Sequence, residues 1–144
     1  LPVTDNNIDT QEFKEVEDVF VASSRFGNLR DSSVTPHELV SLPLLLLKKG
    51  SSTRRNLDSY FASFGLYISP EIELESMELL VELSKIGLGV AHVLRESVAD
   101  TVSAGELFML QLAERLPKRK LGIAKLRNVP LSPAAEMFAK KLLG

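Results

Sequence analysis

Cysteine is absent from the 144-residue chain. That removes disulfide frameworks, thiolate zinc sites and thiol nucleophiles together, and it fits a reducing compartment. Histidine is scarce, with His37 and His92 the only imidazoles, so a metal site would rest on carboxylates, and no Asp/Glu spacing matches a calcium loop. A charge excess is missing as well. Seventeen Lys and Arg against nineteen Asp and Glu leave a net charge of −2, which supplies no basic field for gripping a phosphate backbone. The basic stretch Arg115 to Lys120 lacks the interleaved aromatics of a nucleic-acid platform and reads as a solvated loop. No apolar run approaches the ~18 residues of a membrane span; Leu44–Leu47 is closed by Pro43 on one side and by Lys48 and Lys49 on the other. A secretory apolar region, internal repeats and low-complexity tracts are also lacking. The chain opens at Leu1 rather than at methionine, which leads to the expectation of a piece of a longer protein.

What is present is the composition of a globular protein: 44% apolar and 25% charged residues, enough for one ordinary domain or parts of two. Residues 1 to 12 are polar and turn-rich and read as a loop or ragged end. A β-branched, aromatic segment predicts a strand over 18–23, followed by a crossing loop to residue 33. Thr35-Pro36-His37-Glu38 has the form of a capping box with proline at the first helical position, predicting a short helix over 36–41. Leu44–Leu47, too short for a helix, reads as a strand buried on both faces. Leu57, Tyr60, Phe61 and Phe64 mark one face of a helix that Gly65 ends. A short strand over 70–74 follows, then a helix from Ser76 to Gly87, a strand over 89–94 and a helix over 95–103. A strand over 107–110, a strand over 120–126 and a closing helix from Leu131 complete the pattern. Strand and helix alternate throughout, which implies an open α/β sheet with helices on its faces.

Two strand-to-helix junctions carry the chemistry. Lys48-Lys49-Gly50-Ser51-Ser52-Thr53-Arg54-Arg55 runs from a buried strand through glycine into a hydroxyl-rich helix start. Such a start can hold an anion on its first amides, and its serines can equally be plain caps. Glu73-Leu74-Glu75-Ser76 is the second; in α/β sheets ligands collect beyond the carboxyl ends of strands, and here too Ser76 binds or merely caps. Glu73 and Glu75 read as solvated acids, because nothing local separates their proton affinities. His92 sits in an apolar strand as a core or cleft-wall imidazole without triad partners. No G-x-S-x-G, H-E-x-x-H, P-loop or G-x-G-x-x-G occurs, and Gly87-Leu88-Gly89 follows a helix rather than opening one. Nothing here calls for a catalyst, a cofactor or a metal.

Five segments in order resemble one family: Leu42 to Arg55, Ile72 to Ser76, Gly87 to Ala91, Gly105-Glu106-Leu107 and Leu131 to Ala135. Their order and spacing are similar to those of the effector-binding domain of LysR-type transcriptional regulators, over residues 13 to 143. The resemblance implies an α/β, periplasmic-binding-protein-like (type 2) fold, with one complete lobe and part of a second. Residues 1–24 and 108–144 would form the partial first lobe and 25–107 the second, with a small-molecule effector held between lobes. It further implies a cytoplasmic bacterial protein that self-associates as a dimer or tetramer, touches DNA only through a winged helix-turn-helix outside this chain, and has no membrane partner. The implied effector residues are Ser23, Ser51, Ser52, Thr53, Glu75 and Ser76, with Arg54 and His92 beside them.

The chain departs from the family pattern in places. Most of the first lobe is missing, including a serine- or threonine-bearing helix start that contacts effectors in many relatives. Glu75 stands where many relatives have a small residue, a negative charge able to repel a carboxylate effector. His92 and Leu94 replace an aromatic residue and a proline. Two other readings of the same fold remain: a solute-binding or receptor module, which a secretory signal upstream would favour, and a dehydratase-like enzyme, which turnover of a metabolite would favour.

Overall fold

The computed structural model describes residues 8–126. In chain order they form β1 (Ile8–Val16), β2 (Asp18–Ala22), a 3-10 turn (Ser24–Leu29), β3 (Ser33–Val34), α1 (Pro36–Val40), β4 (Leu44–Leu47) and α2 (Ser52–Ala62). There follow β5 (Ile72–Leu74), α3 (Met77–Lys85), β6 (Val90–Leu94), α4 (Arg95–Ser103), β7 (Phe108–Met109), β8 (Gln111–Leu112) and β9 (Arg119–Leu126). Two compact units result, divided between Val16 and Glu17 and again between Pro117 and Lys118. The helix expected from Leu131 lies outside the described residues.

In the first unit β1 pairs antiparallel with β9, from Val16 opposite Arg119 to Ile8 opposite Leu126. Residues 8–12 are therefore strand, where the sequence reading has a loop. The polar composition of that stretch hides it, because its partner lies more than a hundred positions away and ladder bonds leave no local pattern.

The second unit is built on a five-stranded sheet of order β5-β4-β6-β2-β7. β4 runs parallel to β5 and β6, while β2 is antiparallel to both β6 and β7. β3 and β8 form a separate parallel pair. Because side chains alternate along a strand, β4 divides its leucines between two cores. Leu44 and Leu46 pack with Phe20, Ala22 and Val90 under Leu57, Tyr60 and Phe61 of α2 and Leu39 of α1. Leu45 packs with Val19, Val21, Ala91 and Val93 under Leu80 and Val81 of α3 and Val98 of α4. A strand covered on both faces has no polar side, which is why this segment reads as an unbroken apolar run. Each such leucine contributes about 1.5–3 kcal/mol through burial.

This sheet takes in Asp18–Ala22 and Phe108–Met109 through ladder bonds to β6 and β2. The compact unit thus runs from Glu17 to Pro117, whereas the sequence reading keeps both strands with the first lobe and changes lobe at 24 and 108. α1 carries the expected box: the Thr35 hydroxyl accepts from the Glu38 amide at 3.2 Å, and the Glu38 carboxylate accepts from the Thr35 amide at 3.3 Å.

Tyr60 closes the α2 side of the core, its hydroxyl donating to the backbone carbonyl of Glu114. Burial, and secondarily the Glu114 carboxylate, pushes its pKa above the ordinary 10.0. The folded state thus disfavours phenolate, so the contribution of this group is whole below the unfolded value and is lost as pH climbs through the folded one. Tyr60→Phe is expected to lower stability by about 1 kcal/mol at neutral pH through the lost hydrogen bond. The gap to wild type should close above about pH 10. Thermal melts across that range check it; a gap that stays constant would show that the phenol does not titrate differently on folding.

Candidate functional site

The connections place the site. From β4 the chain crosses over one face of the sheet through α2 to reach β5, and from β5 it crosses the other face through α3 to reach β6. Adjacent strands whose following segments leave on opposite faces open a crevice at their carboxyl ends. The Lys48 amide donates to the Leu74 carbonyl at 2.9 Å and holds the two exits side by side. A groove of about 240 Å³ lies there, lined by Leu47, Lys48, Lys49, Ser51 and Glu75.

Both helix starts are capped by serine. The Ser51 hydroxyl accepts from the Arg54 amide at 3.0 Å and its carbonyl accepts from the Arg55 amide, also at 3.0 Å. The Ser76 hydroxyl accepts from the Leu79 amide at 3.2 Å. Their electrostatics differ. α2 has no acidic residue in its first turn, whereas α3 has Glu78. The positive end of α2 therefore keeps its attraction for an anion, and that of α3 is partly neutralised by its own side chain. Ser52 is exposed at the start of α2 and Thr53 is nearly buried behind it. Across the groove the Lys48 ammonium stands 3.8 Å from the Glu75 carboxylate.

Of the expected residues, Ser51 and Glu75 line this groove, Ser52, Thr53 and Ser76 are their neighbours in the chain, and Lys48 and Lys49, which the sequence reading left as solvated lysines, join the lining. Their position directly after a buried strand and before Gly50 was the available signal. Three other candidates lie elsewhere or are otherwise engaged. Ser23 follows β2, whose Val21 pairs with Ala91 near the start of β6; it sits at the amino-terminal edge of the parallel strands, opposite Ser51 and Ser76. There its hydroxyl accepts from the Arg25 amide and caps the 3-10 turn. His92 is buried in mid-strand, its ring 5.0 Å from that of Phe20.

Arg54 is only 2% exposed and turns inward. Its Nε donates to Asp58 Oδ1 at 2.9 Å, and its Nη1 donates to the Leu47 carbonyl and to Glu73 Oε2, each at 3.0 Å. The guanidinium ties α2 to β4 and β5 beneath the groove, and Glu73, expected to be a solvated acid, is one of its anchors. The i,i+4 spacing of Arg54 and Asp58 hinted at half of this arrangement. Among the described residues no group of His, Asp and Glu gathers to hold a metal ion, and no helix is long and apolar enough to cross a membrane.

Comparison with known proteins bears on this arrangement. The transcriptional activator CmpR of Synechocystis is 27% identical over 119 residues, 83% of this chain and 39% of CmpR. The transcriptional regulator BbuR of Bordetella bronchiseptica is 31% identical over 107 residues, 67% of this chain and 32% of BbuR. The chain spans well under half the length of these relatives. Among solved structures, the regulatory domain of CcmR from Synechocystis, in complex with 2-PG, superposes with a TM-score of 0.70 at 20% identity, covering 99% of this chain and 70% of that one. The effector binding domain of QuiR, in complex with shikimate, gives 0.68 at 20% identity, covering 90% and 62%. The fold is the periplasmic-binding-protein-like α/β fold of these regulatory domains, as the resemblance implied. The family model described as the LysR substrate binding domain matches residues 1–143, and the chain belongs to that family.

Proposed function

We propose that this chain is the ligand-sensing part of a LysR-type transcriptional regulator, and that a small-molecule effector binds at the crevice beyond β4 and β5. The observation that carries the reading is the start of α2: a serine-capped helix end with no acid in its first turn, at the switch point of the sheet, flanked by Lys48 and Lys49. Ser51, Ser52, Thr53, Glu75 and Ser76 form the effector-facing set. The effector acts by preferring one arrangement of the regulator over another, and its influence on transcription is bounded by that difference in affinity.

The reading brings the rest of the family pattern with it. The protein is a non-catalytic, cytoplasmic sensor that reaches DNA through a domain outside this chain. The second lobe is built on residues 25–107, with β2 and β7 as crossing strands bonded into its sheet. Self-association as a dimer or tetramer is supported by α3 and the turn after it, where Leu79, Ile86 and Leu88 are exposed.

A thermal-shift screen of small acids, amino acids and sugars on the full-length protein tests the proposal, since a ligand that prefers the native state raises its melting temperature. Ser52→Glu is the matching variant. An added carboxylate in the first turn favours the helix by about 0.3–1 kcal/mol, so the ligand-free melting temperature is kept or raised. The same charge opposes an anionic group at that spot, so the ligand-induced shift should be lost. An undiminished shift in Ser52→Glu would move the site away from α2.

A further inference from the structure

The crevice carries both signs of charge, and this bears on what it selects. On one side stand Lys48, Lys49 and the positive end of α2; on the other stands Glu75, the acidic member of the lining. The Lys48 ammonium and the Glu75 carboxylate are 3.8 Å apart, and their side chains are 58% and 84% exposed. A pair held that loosely in water contributes little, so it is easily exchanged for contacts with a ligand.

We infer that the ligand selected here is a small zwitterion of the α-amino acid type, and that Glu75 is the residue that demands its ammonium group. The inference rests on the effector reading above. Exchange arithmetic supports it. A plain carboxylate is held by Lys48, Lys49 and the start of α2 but makes no use of Glu75, whose like charge faces it across the groove. A plain amine that takes Glu75 leaves its own charge beside Lys48. A molecule with both groups pairs each of them again, its carboxylate toward Lys48 and the start of α2, its ammonium toward Glu75. Because the protein's two charges stand 3.8 Å apart, the ligand's charges belong on neighbouring atoms, as in an α-amino acid, rather than at the ends of a long chain.

The experiment uses the full-length protein and calorimetry with matched probes: α-amino acids, the carboxylic acids that lack the amino group, and the amines that lack the carboxylate. Wild type should bind at least one amino acid about tenfold more tightly than either matched probe, the difference that one charge-assisted contact supplies. Glu75→Gln should lower that affinity about tenfold and raise the affinity for the matched carboxylic acid. Its ligand-free melting temperature should stay close to wild type, because the pair it removes is exposed. If the carboxylic acid binds wild type as tightly as the amino acid, or if Glu75→Gln keeps the preference for the ammonium, the inference falls while the effector reading stands. A sugar or other uncharged ligand that alone shifts melting has the same consequence. If no small molecule in either panel binds, the effector reading falls and this inference falls with it.

Discussion

Gly89→Ala is expected to cost about 3 kcal/mol or more, at the upper end of what overpacking a core does. Gly89 joins the turn after α3 to β6, where the backbone passes over the start of β4. A Cβ at this position runs into the carbonyl oxygen of Pro43 and meets Cγ and Cδ2 of Leu45 at 3.0 Å. Neither neighbour can retreat. The Pro43 carbonyl accepts the Val90 amide at 2.8 Å, the first bond joining β4 to β6, and Leu45 is fully buried in the core beneath α3. The methyl group must therefore part the two central strands.

Gly27 is the control, since nothing lies within 4 Å of a Cβ there and its backbone is of ordinary hand. Gly27→Ala should be neutral or stabilising by up to about 1 kcal/mol, through the unfolded chain. Thermal melts should separate the two variants by on the order of 15 °C, given roughly 4–8 °C per kcal/mol for a unit of this size. Equal melting temperatures would mean that the strands close differently around Gly89.

The second large effect concerns Arg54. Arg54→Ala is expected to destabilise the protein by about 3 kcal/mol, because it empties a buried position and strips three hydrogen bonds from groups that α2, β4 and β5 present to it. Since Asp58 and Glu73 are 42% and 39% exposed, water can rehydrate them, which keeps the loss near the lower end for a broken buried pair. Arg54→Lys should recover little. One ammonium on a flexible stem does not replace a planar fork that serves Asp58, Leu47 and Glu73 together. Lys118→Ala, which breaks an exposed 3.7 Å pair with Glu15, should cost less than about 0.5 kcal/mol. Denaturant titration of the three variants orders them; an Arg54→Lys protein as stable as wild type would show that the charge alone, and not the fork, holds the elements together. A stability loss here is also the reason to read ligand effects from Ser52 and Glu75 variants instead.

Most of the second unit's elements were legible because each has a local cause. Thr35-Pro36-His37-Glu38 contains its own capping bonds, Leu44–Leu47 between Pro43 and Lys48 is too short and too apolar for anything but a covered strand, and Ser51 and Ser76 mark helix starts by the hydroxyl that each offers to an amide three positions on. Even the family pattern was carried by these short, local segments. The reading failed where the deciding partner was remote. Residues 8–12 become strand only beside β9, Ser23 moves away from Ser51 because β2 runs antiparallel to β6, and Glu73 is engaged because Arg54 turns inward to meet it.

By itself, then, the sequence determined the alternation of strands and helices, the doubly covered strand at 44–47 and the two capped junctions, because caps, periodicity and burial patterns act over a few residues. Which junctions share an edge, which arginine faces inward, and that Lys48 meets Glu75 across one groove were decided by the order and direction of strands in the sheet. That order is set by packing among segments far apart in the chain, a sum over the whole fold that no local stretch encodes.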